Sequence, residues 1–307
     1  MNKKLITALV ASLILSSASV AHAAETTQVP TVAILDTAID TTLPIFQGRI
    51  IQEVCLINWT TCPNGKSYME GPGAASMPAH LIVKNGFDHG TQMASIFAQN
   101  NPNVNIVFIK IIGNTATGGR QITFESAVYN ALNWVASNKD KYNIQAVTMS
   151  QGHHNLVAGT DYCPKTPMTE NAVKNLISLG IPTFFPSGNG RDYKRIDWPA
   201  CIDVSISVGA VDQQNEMTSY SNSDPAKLDF FALGNMQAIA PGGVVKNVAG
   251  TSASAQVAAA QWLMIKQSKP NLTYTEIYDL ITRTTVSTIG RQGTFKKLIS
   301  LNGALNG

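Results

Sequence analysis

The sequence predicts an α/β domain with a mostly parallel central sheet and helices on both faces. Three observations lead there. Short, continuous apolar runs recur along the chain, as expected of strands buried on both faces. Segments with helical apolar stripes lie between these runs, giving a β-α-β alternation. No internal repeat or linker divides the chain, so residues 24–307 read as one domain.

The first run, residues 32–35, ends at Asp36. A helix is expected to start near His89, because residues 92–98 are small or apolar. Residues 106–112 form the next strand, interrupted by Lys110. Thr123 is placed to cap a helix whose stripe is Phe124, Val128, Ala131, Leu132 and Val135. Residues 146–149 read as another strand. A helix over about 169–179 aligns Val173, Leu176 and Ile177, and Gly180 with Pro182 stops it. Residues 183–185 and 204–208 complete the strands. The alanine-rich stretch 249–260 predicts a buried helix with Ser252 at its start. Thr273 and Glu276 have capping-box spacing. Residues 62–86 and 190–201 are expected to be surface loops.

The chain has 307 residues, of which 44% are hydrophobic and 13% charged. That composition can fill a core and argues against extensive disorder. Residues 1–23 read as a secretory signal. Lys3 and Lys4 precede a short apolar run, and Ala21-His22-Ala23 fits the cleavage rule. Its removal would leave a net charge of +1, which gives no electrostatic case for nucleic acid or anionic lipid. No later run is long and apolar enough to span a membrane. A periplasmic or secreted destination is expected. Four cysteines in an exported chain suggest two disulfides. Zinc is disfavoured by the lack of a Cys-x-x-Cys pair. Of three pairings, Cys55–Cys62 with Cys163–Cys201 is favoured, the first closing a small loop.

Four segments carry chemistry. Asp36 follows a buried strand, where open parallel sheets bind ligands, although a turn aspartate is the plainer reading. His89 stands in Asp-His-Gly-Thr, and imidazole is a base near neutral pH. His153 and His154 read as structural or exposed. Ser252 opens a helix whose unpaired N–H groups favour an oxyanion, although a capping serine would also fit. Asn189, in Ser-Gly-Asn-Gly, offers a side-chain amide. Each is weak alone; together they supply a nucleophile, a base, an orienting carboxylate and oxyanion donors. A lipase-type serine elbow is not present, because Ser252 is followed by Ala-Ser-Ala.

In the order Asp, His, Ser, with matching connecting segments over residues 32–260, the sequence resembles the subtilisin-like serine proteases, the subtilases. The resemblance implies a subtilisin-like domain and an endopeptidase working through an acyl-enzyme on a polypeptide substrate. It makes Ser252 the nucleophile, His89 the general base and Asp36 its orienting partner. Asn189 and the Ser252 N–H would form the oxyanion hole. Ser150, Gln151 and Gly152 would pair with an extended substrate, and Ser187 with Gly188 would wall the pocket before the scissile bond. It also supports Cys163–Cys201. No metal or cofactor is needed for the chemistry; structural calcium stays open, with no recognisable loop.

The departures are Ala38 for the usual glycine, Gln92-Met93 for His-Val, Gln151 for leucine and Gln256 for proline. Twelve residues between Ala24 and Asp36 leave no room for a long prosegment. The chain would then fold unaided, use a separate inhibitor or folding partner, or be restrained otherwise. Two other readings are weighed: a processing protease or transpeptidase for one partner peptide, and a non-catalytic scaffold.

Overall fold

The computed structural model describes residues 29–58, 60–115, 119–121, 123–153, 163–291 and 293–307. The signal-like segment and His154 lie outside the described residues. Strands β1 (Thr31–Asp36), β2 (Ile50–Leu56) and β3 (Tyr68–Glu70) precede helices α1 (Ala79–Lys84) and α2 (Asp88–Asn100). Then come β4 (Asn105–Lys110), α3 (Glu125–Tyr142), β5 (Ile144–Met149), α4 (Pro167–Ser178), β6 (Thr183–Pro186) and β7 (Ile206–Val211). The remainder holds β8 (Phe230–Leu233), β9 (Asn235–Ile239), β10 (Val245–Ala249), α5 (Thr251–Ser268), α6 (Tyr274–Thr284), β11 (Val286–Gly290), β12 (Gly293–Leu298) and α7 (Leu301–Asn306).

Among the described residues, ten strands form one sheet in the order β11-β12-β8-β7-β6-β5-β1-β4-β2-β3. The run from β12 to β2 is parallel throughout. The two outermost strands, β3 and β11, pair antiparallel. Strands β9 and β10 make a separate hairpin. From β1 the chain runs out to β2 and β3 at one edge, returns to β4 beside β1, then crosses to β5 on the other side of β1.

The period of two along each strand sends alternate side chains to opposite faces. In β1, Val32 and Ile34 join a core with Ile96 and Phe97 of α2, Leu263 of α5 and Leu280 of α6. Ala33 and Leu35 join a second core with Ile82 of α1, Leu132 of α3 and Leu176 of α4. Both faces are therefore covered, as the uninterrupted apolar strands require. Helix α5 is buried on almost every side, and its alanines let α2 and the sheet approach closely. Trp262 packs edge-on to Phe184, with ring centroids 5.8 Å apart.

The five expected inner strands and the capping box at Thr273 and Glu276 are present. Gly180 ends α4 with a φ of +78°, a conformation glycine adopts easily. Two expectations need correction. Residues 62–86 are not only loop, since β3 and α1 lie within them. Thr123 does not cap α3; Phe124 stands at the cap with no side-chain hydrogen bond. The helix packs against α4 and β5.

Cys55 bonds Cys62, and Cys163 bonds Cys201. The second closes 38 residues and ties the chain before α4 to the loop after β6; the first closes 7. Chain entropy predicts a larger loss for the Cys163→Ser/Cys201→Ser variant, about 4 kcal/mol, than for Cys55→Ser/Cys62→Ser, roughly 2.5 kcal/mol. Urea unfolding of the two double variants checks the order; equal or reversed losses contradict it.

Candidate active site

Three neighbouring parallel strands end side by side. Asp36 is the last residue of β1, Ser150 follows β5, and Pro186 ends β6 with Ser187, Gly188 and Asn189 beyond it. The chain reverses its direction of travel across the sheet at β1 and β5, so a crevice opens at their carboxyl ends. Helices α2 and α5, packed together beneath one face, present their N-termini at the same edge. His89 and Ser252 are the second residues of those helices.

The Asp-His-Gly-Thr segment has a packing reason. A Cβ on Gly90 would lie 2.4 Å from the Ala38 carbonyl oxygen, so only glycine lets α2 approach the end of β1. The Thr37 hydroxyl donates to the Phe87 carbonyl at 2.7 Å and accepts the Gly90 N–H at 2.9 Å. Thr91 Oγ1 accepts the Asp40 N–H at 3.0 Å. These contacts fix where His89 stands. Its Nδ1 lies 2.9 and 3.0 Å from the two Asp36 carboxylate oxygens.

Asp36 is fully buried. Burial pushes its carboxyl up, but the His89 charge and hydrogen bond, the Arg120 charge and the Thr37 N–H outweigh that and hold it below the usual range. The Thr37 N–H donates to Oδ1 at 2.7 Å. Gln151 Nε2 also donates to Oδ1 at 2.7 Å, while Gln151 Oε1 accepts from Arg120. The side chain at 151 therefore turns toward Asp36, where the sequence pointed to a substrate contact. Arg120 was not foreseen: nothing in the sequence marks a loop arginine as a partner of a residue 31 positions away.

Ser252 Oγ donates to the Ser150 carbonyl oxygen at 3.3 Å rather than to His89. The Ser150 hydroxyl donates in return to the Ser252 carbonyl at 2.8 Å. Gln256, one turn further along α5, donates Nε2 to Ser150 Oγ at 2.9 Å and Thr148 Oγ1 at 3.1 Å. The glutamine at this unusual position thus pins the end of β5 to the serine helix. Gln92 stays local, donating to Asp88 at 2.8 Å.

Asn189 Oδ1 accepts both the Thr251 N–H at 2.9 Å and the Thr251 hydroxyl at 3.0 Å. Those donors fix the amide orientation and leave its NH2 group for the cleft. Thr251 is a second unforeseen participant, although it lies inside the Gly-Thr-Ser segment. His89, Arg120, Ser150, Gln151, Gly152, His153, Pro186, Gly188, Asn189, Asp197 and Ser252 line one cleft of about 400 Å³. Ser187 lies beneath it, fully buried and donating to the Asn222 carbonyl at 2.8 Å. Gly188 has φ +106°, and a Cβ there would sit 2.2 Å from an Asp197 carboxylate oxygen. His153 stacks on Trp198, with centroids 4.9 Å apart, and burial lowers its pKa. Among the described residues no three His, Cys, Asp or Glu side chains converge as a metal site, and no helix is long and apolar enough to cross a membrane.

An imidazole held by a buried carboxylate, a hydroxyl and an amide donor around one cleft can serve proton transfer and acyl transfer. The family model described as Subtilase family matches residues 27–301. An alkaline protease from Alkalihalobacillus alcalophilus is 29% identical over 228 residues, covering 70% of this chain and 54% of that protein. Subtilisin Savinase from Lederbergia lenta is 28% identical, covering 70% of this chain and 76% of its own. The chain thus spans about half the length of the first relative. The structure of the prenylagaramide maturation protease PagA superposes with a TM-score of 0.66 at 17% identity, covering 90% of this chain and 92% of PagA.

Lys110 ends β4 beside Asp36, donates to the Thr37 carbonyl at 3.2 Å and lies 3.7 Å from the Phe87 ring centroid. Burial lowers its pKa from 10.5 to about 7, against the opposing pull of Asp36. Between those values the unfolded chain binds the proton that the folded one has released. This group's contribution to stability therefore rises with pH across that window, by up to about 1.4 kcal/mol per unit, and is flat below it. Lys110→Met removes the rise. Its stability relative to the parent should be greatest at pH 7 and fall by pH 9 in urea titrations; a pH-independent difference contradicts this.

Proposed function

The chain belongs to the subtilase family, and from that premise we propose that it is an exported serine endopeptidase that cleaves polypeptides through an acyl-enzyme. The observation that carries the reading is the His89 imidazole held through Nδ1 by buried Asp36, on the same cleft as Ser252 and Asn189. Nδ1 bonded to a carboxylate leaves Nε2 as the basic nitrogen. The reading requires the Ser252 side chain to turn from its long bond to Ser150 so that Oγ meets Nε2; catalytic hydrogen bonds are often loose before substrate binds.

The steps follow from that arrangement. Ser252 Oγ attacks the scissile carbonyl carbon as His89 Nε2 takes its proton, and Asp36 stabilises the imidazolium. The carbonyl oxygen becomes an oxyanion, met by Asn189 Nδ2–H and the Ser252 N–H at the start of α5. His89 then returns the proton to the leaving amine nitrogen as the carbon–nitrogen bond breaks, leaving an acyl ester on Ser252. Water, deprotonated by the same imidazole, attacks the ester carbon; the imidazolium then protonates Ser252 Oγ as the carbon–oxygen bond breaks and the carboxylic acid leaves. Ser150, Gln151 and Gly152 would present backbone groups for an extended substrate to pair with, and Gly188 with Asp197 would bound the pocket before the scissile bond. These side chains suffice for the chemistry without a cofactor; calcium, if bound, would act on stability. Two disulfides are compatible with export.

A second reading, a processing enzyme or transpeptidase for one partner peptide, draws on Arg120 and Gln151 at the cleft, the latter in place of the family's usual leucine. Peptide-library profiling with and without chelator separates the two. Broad cleavage supports the first; cleavage or ligation of a single sequence supports the second.

Ser252→Ala and His89→Ala should each lower kcat on the order of a million-fold, as for the equivalent groups of subtilisin. A fluorophosphonate should label the parent at Ser252 and not the alanine variant; equal labelling of both contradicts the assignment. Asn189→Ala should lower kcat by roughly 100- to 1,000-fold with KM nearly unchanged, measured by steady-state peptide hydrolysis. A change confined to KM would remove Asn189 from the oxyanion hole.

A further inference from the structure

We propose that Gln151 is a positioning residue for the catalytic pair, acting as a relay by which Arg120 and the Gln151 amide temper the Asp36–His89 interaction. The inference rests on the protease reading above but adds a role for a side chain that reading leaves to substrate contact. Gln151 is 3% exposed, so its amide must find its partners inside the protein. Arg120 only donates hydrogen bonds, so Oε1 of the amide faces the guanidinium and Nε2 faces Asp36. The reverse orientation would set an amide NH2 against the guanidinium and an amide oxygen against the carboxylate.

Three donors then converge on Asp36 Oδ1: the Thr37 N–H at 2.7 Å, Gln151 Nε2 at 2.7 Å and His89 Nδ1 at 2.9 Å. Gln151 Nε2 also stands 3.0 Å from His89 Nδ1. The two nitrogens share Oδ1, and His89 Nδ1 also has Oδ2 at 3.0 Å. A carboxylate whose charge is shared with Gln151, itself polarised by a cation at its far end, holds an imidazolium less firmly. The relay therefore keeps Asp36 ionised and oriented while sharing the carboxylate charge that faces His89. An apolar side chain at 151 would leave Oδ1 to Thr37 and His89 alone.

Other charged and titratable groups bear on His89. Asp36 ends β1, with Lys110 of β4 behind it. Arg120, His153 and Asp197 share the cleft. Asp88 lies on the same helix, with Lys246 of β10 3.8 Å from its carboxylate. Of these, Arg120 is the group whose hydrogen bond a change at residue 151 would remove.

The test compares the parent with Gln151→Leu and with Gln151→Met, which keeps the buried volume and removes the donor. Circular dichroism establishes that each variant folds. The first readout is the pH profile of kcat/KM on a neutral peptide. The second is the His89 titration by NMR in a Ser252→Ala background, assigned by its loss in His89→Ala. Both variants should move the acid limb and the NMR midpoint upward by about half a unit to one unit, the effect of one net hydrogen bond on a titrating pair. Arg120→Ala should move both in the same direction. Unmoved midpoints overturn the proposal, whether KM changes, as for a substrate subsite, or nothing changes. The NMR arm needs no turnover. An inactive parent with a shifted midpoint would refute the protease reading and keep the relay, and an active parent with no shift would do the reverse.

Discussion

Burying one carboxylate is the constraint around which this molecule is arranged. Asp36 ends the central strand β1 with no access to solvent, and an ionised group there is tolerable only if donors surround it. His89, the Thr37 N–H and Gln151 supply them. Each comes from a different part of the chain, so satisfying the carboxylate also ties α2 and the end of β5 to the end of β1. Gly90 and the Thr37 hydroxyl serve the same end by letting α2 come close and holding it there.

The serine side of the cleft is built differently. Helix α5 is almost wholly buried, and its alanines bring its first turn up against the ends of β5 and β6. Thr251 orients the Asn189 amide, and Gln256 holds Ser150, which in turn meets the Ser252 carbonyl. Ser252 thus sits at a packed helix end, and rigid support of this kind suits the precise placement of a functional group.

Much of this was legible in the sequence because the inner strands and helices have one environment each. Strands such as β1 and β7 are buried at every position and read as mostly apolar runs. The edge elements were not legible. Strand β2 mixes exposed and buried positions, β3 has three residues, and β11 carries exposed Val286 and Ile289 beside buried Thr288. Their pairing is decided by neighbours far away in sequence. The segments bearing Asp36, His89, Ser252 and Asn189 stood out because small residues flank each one. The partners did not. Gln151 was visible only as an unusual residue, and its bond to Asp36 spans 115 positions. Arg120 and Lys110 look like ordinary basic residues until the fold sets them beside that carboxylate.

The central claim is that Ser252, His89, Asp36 and Asn189 act as one unit once the serine side chain turns. A crystal structure of the protein after reaction with a fluorophosphonate tests it most directly. The account predicts phosphorus bonded to Ser252 Oγ, with one phosphoryl oxygen about 3 Å from both Asn189 Nδ2 and the Ser252 backbone nitrogen. An unmodified Ser252 still bonded to the Ser150 carbonyl, or an adduct whose oxygen avoids Asn189, would contradict it.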